Sequence, residues 1–90
     1  MVNGDEEDVA NLLVQAVVAP QSDLIRRTIG EVDFRQYYGA LVVRLWCKEG
    51  WLHQELGQTR LGAGDVLVLQ GNAEALARVE GDPAFLMLGV

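Results

Sequence analysis

The chain is poor in positive charge and in the residues from which catalytic and metal sites are assembled. Seven lysines and arginines stand against thirteen aspartates and glutamates in 90 residues, a formal net charge of −6. Such a balance repels a polyphosphate backbone, and Arg26-Arg27 is the one adjacent basic pair, so no nucleic-acid partner is expected. Cys47 is the single cysteine, which excludes an internal disulfide and a cysteine-based zinc site and fits a reducing compartment. One histidine, His53, and two threonines supply few parts for a triad or a metal cluster, so no catalytic residues, metal or cofactor are expected. No apolar run approaches the roughly 18 residues that span a bilayer, and the acidic start lacks the basic n-region of a signal peptide. The polypeptide is therefore expected to be neither a membrane segment nor secreted, and its single cysteine points to the cytosol.

What is present is globular usage: 50% hydrophobic and 22% charged residues, too apolar for intrinsic disorder. A chain of this length is one domain that buries only about 60–65% of its unfolded surface, so association with another copy would add stability. Residues 1–10 are assigned to a disordered acidic tail, with four consecutive acids at Asp5–Asp8, and residues 11–90 to the folded domain.

Along that domain, Asn11–Ala19 is rich in valine and leucine and stops at Pro20, which predicts a first strand followed by a turn through Asp23. Thr28-Ile-Gly-Glu31 matches a capping box, so a short helix is predicted from Thr28 to a C-terminal glycine at Gly39. Ala40–Cys47 reads as a central strand, Lys48-Glu-Gly50 as a turn and Trp51–Glu55 as a half-buried returning strand. Asp65–Gln70 is a further strand, Asn72 caps a helix running to about Glu80, and Gly81-Asp-Pro83 ends it before a last strand over Phe85–Val90. The order β-α-β-β-β-α-β, with two short helices, predicts a small α+β domain with a mixed or antiparallel sheet.

The glycines of LGAGDVLVLQG (61–71) invite comparison with a phosphate loop. A dinucleotide fingerprint places them after a strand and before a helix, whereas Gly62-Ala-Gly64 precedes a strand, and its sixth position is Leu67. A tight turn leading into a buried strand accounts for them. Gly71-Asn72 does lie between a strand and a helix, and Asn72 with its neighbouring amides is retained as a candidate anion contact. Cys47 at the end of an apolar strand reads as a small hydrophobe, and His53 as a surface residue. Trp46 and Trp51 flank a four-residue turn and meet across the hairpin, as core packing or as a subunit contact.

Three segments together, SDLIRRTIGEV (22–32), FRQYYGALVVRL (34–45) and LGAGDVLVLQG (61–71), resemble the C-terminal domain of RCK-type regulators, the TrkA-C domain. The ending EALARVEGDPAFLML (74–88) looks most like the kind carried in a cytosolic loop of permeases resembling divalent-anion:sodium symporters. The resemblance implies a non-catalytic regulatory domain of a bacterial transporter. Its partners would be a second copy of the domain, the membrane-transport domain of the parent protein and a small-molecule ligand. The alternative is a purely structural adaptor without a ligand. Some members of that family bind cyclic di-AMP at the dimer interface through an arginine at the position of Arg35 and an asparagine shortly after the glycine matching Gly39. Here Leu41 stands where the asparagine is expected, removing a polar contact that a nucleobase needs; Arg35 is present, and could equally cap or pair with Asp33 or Glu31 on the surface.

Overall fold

A computed structural model describes residues 12–89; the acidic tail expected over 1–10 lies outside the described residues. Five strands, β1 (Leu12–Val18), β2 (Leu41–Cys47), β3 (Gly50–Leu52), β4 (Val66–Gly71) and β5 (Phe85–Gly89), form one sheet in the order β3-β2-β4-β1-β5. Every pairing is antiparallel. Helices α1 (Ile29–Val32), α2 (Phe34–Tyr38) and α3 (Ala73–Glu80) supply residues to the core, which the sheet shares through one of its faces. This is the expected small α+β architecture, with the sheet wholly antiparallel.

The capping box forms as read: Glu31 N–H donates to the Thr28 hydroxyl at 3.1 Å and Thr28 N–H to the Glu31 carboxylate at 2.9 Å. The helix it starts does not run to Gly39. Asp33 takes a left-handed conformation, φ 54° and ψ 66°, donating its N–H to Ile29 O while its carboxylate accepts from Gln36 N. One residue thus closes α1 and caps α2. Burial explains the break: Ile29, Val32, Phe34 and Tyr38 are all in the core, yet in an unbroken helix Phe34 would lie about 200° round from Val32. The left-handed step at Asp33 lets both pairs reach the same core. Gly39, at φ 78°, closes α2 as expected.

The returning strand is also shorter than the expected Trp51–Glu55. It ends at Leu52, Glu55 turns left-handed at φ 54°, and Leu56–Gln58 forms a single 3₁₀ turn. Chain beyond it is claimed by another partner: Ile29 N–H donates to Thr59 O at 3.0 Å, Arg26 N–H to Leu61 O at 2.8 Å and Leu61 N–H to Arg27 O at 2.9 Å. These bonds bring residues 56–61 against the start of α1, and the β3 ladder gives way to them.

Register assigns the faces. Leu52, Leu45, Leu67, Ala16 and Met87 align across the five strands and join the core, with Leu45, Leu67 and Ala16 fully buried. Because successive strand residues alternate sides, the adjoining aligned set, Trp51, Trp46, Val66, Val17 and Leu86, points away from the helices.

Candidate functional site

The glycine-rich loop is a structural turn. Asp65 N–H donates to Gly62 O at 3.1 Å, closing a four-residue turn with Gly64 at φ 85° in its third position, the place where a type II turn requires glycine. Gly62 N–H donates to the Asp65 carboxylate at 2.8 Å and Gly64 N–H to Val18 O at 2.9 Å. Amides that a phosphate would need are therefore engaged in fastening the turn to the end of β1.

Asn72 occupies the N-cap of α3, where its side-chain oxygen accepts from Ala75 N–H at 2.7 Å. Arg35 is exposed on the first turn of α2. A depression of about 430 Å³ beside that helix is lined by Glu31, Val32, Asp33, Gln36 and Tyr37, so neither Arg35 nor Asn72 lines it. Leu41 pairs with Gln70, which pairs in turn with Leu13. That row lies on the face of the sheet away from the helices, with Leu41 and Leu13 44% and 52% exposed.

Cys47 is partly buried, and its thiol donates to the Glu49 carboxylate at 3.2 Å. Burial, and then the adjacent Glu49 carboxylate, push the thiol pKa up, the opposite of what a nucleophilic or metal-binding cysteine requires. His53 lies exposed just past β3. Among the described residues no group of three or more His, Cys, Asp or Glu side chains is placed to hold a metal ion, and no helix is long and apolar enough to cross a membrane.

Trp46 and Trp51 are the expected pair that the fold does bring together. They are direct cross-strand partners, with ring centroids 5.3 Å apart and planes inclined by 56°. Their exposures of 44% and 48% remove the core-packing alternative. They border an open depression of about 290 Å³ that Gln15, Val66 and Leu88 complete. Leu86 and Leu88, 55% and 58% exposed, were not singled out by the sequence reading. The signal was there in Phe85–Leu88, a strand apolar at every position, which marks a sheet with apolar residues on both faces rather than one.

These features, a five-stranded antiparallel sheet covered by short helices on one face and apolar on the other, come with a family assignment. The chain belongs to the TrkA-C domain family, whose model matches residues 13–81. It is 34% identical over 87 residues to an uncharacterised transporter of Synechocystis, covering 97% of this chain and 14% of that protein. It is 44% identical over 57 residues to sodium/sulfate cotransporter 2 of Chlamydomonas reinhardtii, covering 63% of this chain and 6% of that protein. The chain thus spans about a seventh or less of these relatives. Among solved structures, the RCK_C domain dimer of Streptococcus agalactiae BusR in complex with c-di-AMP matches with a TM-score of 0.66 at 19% identity, over 80% of this chain and 86% of that one. BusR bound to its busA-promotor DNA matches with a TM-score of 0.69 at 18% identity, over 78% of this chain and 35% of that one. At such identities the two structures establish a shared fold.

Proposed function

We propose that this domain is a non-catalytic regulatory module of a membrane transporter, facing the cytoplasm, which self-associates and biases transport through a small ligand. The observation that carries the reading is the TrkA-C match over residues 13–81 together with relatives that are themselves transporters. The net charge of −6 supports a protein or small-molecule partner over nucleic acid. Regulation of this kind requires the ligand to bind one arrangement of the assembled domains more tightly than another.

For the ligand, the solved dimer of like fold contains c-di-AMP, and Arg35 supplies an exposed cation here. Leu41 offers a nucleobase no hydrogen bond, and the Asn72 oxygen already caps α3, which leaves Arg35 as the stronger candidate contact for an anionic group. A thermal-shift series on the chain with cyclic di-AMP, mononucleotides, inorganic anions and divalent cations tests this. A ligand present at 100 times its Kd adds about 2.7 kcal/mol to the unfolding free energy, and Arg35→Ala should abolish the gain for an anionic ligand. No shift with any of them would instead support a structural adaptor that works by assembly alone.

A further inference from the structure

We propose that residues 27–32, which include α1, and residues 56–61 form one hinged unit that opens away from the sheet ahead of the rest of the domain, a conformational device that does not depend on which ligand the domain takes. The two stretches hold each other. Ile29 N–H donates to Thr59 O, Leu61 N–H to Arg27 O and Arg26 N–H to Leu61 O, while the Arg60 guanidinium donates to Arg26 O at 2.6 Å. Gly30 lies so close to Gly57 that a Cβ there would come within 2.9 Å of its carbonyl oxygen. The tie to the sheet is lighter. Among the described residues no backbone hydrogen bond joins residues 27–32 or 56–61 to a strand, and the buried side chains of the unit are Ile29, Val32 and Leu61.

Backbone strain sits at the ends of this unit. Arg26, Asp33 and Glu55, at φ 79°, 54° and 54°, are the non-glycine residues at positive φ among the described residues, and they stand at three of its four connections to the chain: before residue 27, after residue 32 and before residue 56. The fourth leads from Leu61 into the turn over 62–65. Left-handed backbone is disfavoured for residues other than glycine, asparagine and aspartate, so Arg26 and Glu55 are held there by the closed position of the unit and relax when it leaves. Hinges are a few residues at element ends that absorb such a change in φ and ψ, and lightly anchored segments are those that open first. Opening also reshapes the surface. The depression of about 430 Å³ takes Glu31 and Val32 from the unit and Gln36 and Tyr37 from α2, with Asp33 between them; departure of the unit separates these walls, and a molecule bound across both would hold it closed.

Native-state hydrogen exchange of the chain in rising urea, below the unfolding transition, tests this. The amides of Ile29, Val32, Thr59 and Leu61, each bonded to a carbonyl of the unit, report on it, and the amides of β2 and β4 report on the sheet. Expected is one opening free energy shared by the four, with protection at least about tenfold below that of the strand amides and a weaker dependence on urea, because less surface is exposed. Glu55→Gly should raise the protection of all four together by roughly two- to fivefold, the left-handed penalty less the freedom glycine gains in the open chain. That gain must reach Ile29 and Val32 on the other stretch. Four amides that open with the strands, or at separate free energies, overturn the unit. A gain confined to Thr59 and Leu61, or none at all, overturns the hinge.

Discussion

Removing one hydroxyl, in Tyr38→Phe, tests how the two halves of the helical layer are joined. Tyr38 is 7% exposed. Its hydroxyl donates to the Asp82 carboxylate at 2.5 Å, and the other oxygen of that carboxylate accepts from Ala84 N–H at 2.9 Å. Asp82 also donates its N–H to Val79 O and accepts from Phe85 N–H, each at 3.1 Å, so it forms the joint between α3 and β5. The tyrosine fastens α2 to that joint across 44 residues of chain. Phenylalanine keeps the ring against Phe34 and Phe85, at centroid distances of 5.5 and 6.0 Å, and deletes only the donor. A hydrogen bond to a charged group contributes about 1.5–3 kcal/mol. Asp82 keeps its Ala84 partner, so a loss near the lower end, about 1.5–2 kcal/mol, is expected. At about 4–8 °C per kcal/mol for a domain of this size, Tm should fall by roughly 6–16 °C.

The same bond has a pH signature. Burial, then the hydrogen bond to Asp82, then its negative charge hold the Tyr38 phenol un-ionised far into the alkaline range. A folded-state pKa raised above the unfolded value of about 10 gives a contribution complete below pH 10 and lost as pH rises through the folded value. The stability difference between the wild type and Tyr38→Phe in urea titrations should therefore be constant through neutral pH and shrink above about pH 10. A cycle with Asp82→Asn should show coupling between the two sites. If Tyr38→Phe stays within about 0.5 kcal/mol of wild type at neutral pH, the bond contributes no net stability and the reasoning fails.

Two further predictions concern the α1 region. At Gly30 an added Cβ would sit 2.9 Å from the carbonyl oxygen of Gly57, so Gly30→Ala should destabilise the domain by about 1–3 kcal/mol in chemical denaturation, although alanine is ordinarily the better helix residue by about 0.5–1 kcal/mol. The Glu31 carboxyl is held below its ordinary pKa, chiefly by the Thr28 amide and then, against a smaller opposing effect of desolvation, by the charge of Arg60. Its contribution is present above the ordinary glutamate range near 4.3 and lost as pH falls through the lowered folded value; a side-chain carboxyl NMR titration that finds Glu31 at or above that range would contradict the capping geometry.

The parts of the fold legible in the sequence were those governed by neighbours along the chain. The Thr28–Glu31 box, the Asn72 cap, the Gly39 terminator and the Gly64 turn each involve residues within a few positions, and each forms. Departures arise where distant chain decides. Nothing local at Asp33 announces a left-handed step; aspartate tolerates it, but the need comes from Val32 and Phe34 having to face one core. Likewise Trp51–Glu55 alternates well enough for a strand, and it stops at Leu52 because residues 59–61 bond with 26–29 instead.

For the candidate site the boundary falls differently, between what alternation says and what it leaves open. Pairing across the hairpin places Trp46 and Trp51 on one face; alternation leaves open which face meets the helices, because β5 is apolar on both sides and Arg44 is the one charged residue of β2. Register settles this: Leu45, between the outward Arg44 and Trp46, is fully buried with Leu67 and Ala16, so the tryptophans must point outward. The same register carries Leu41 to that outward face beside Gln70 and Leu13. Leu41, 44% exposed, is thus an outward apolar residue of the sheet and not a core position, which its place in an apolar run did not reveal.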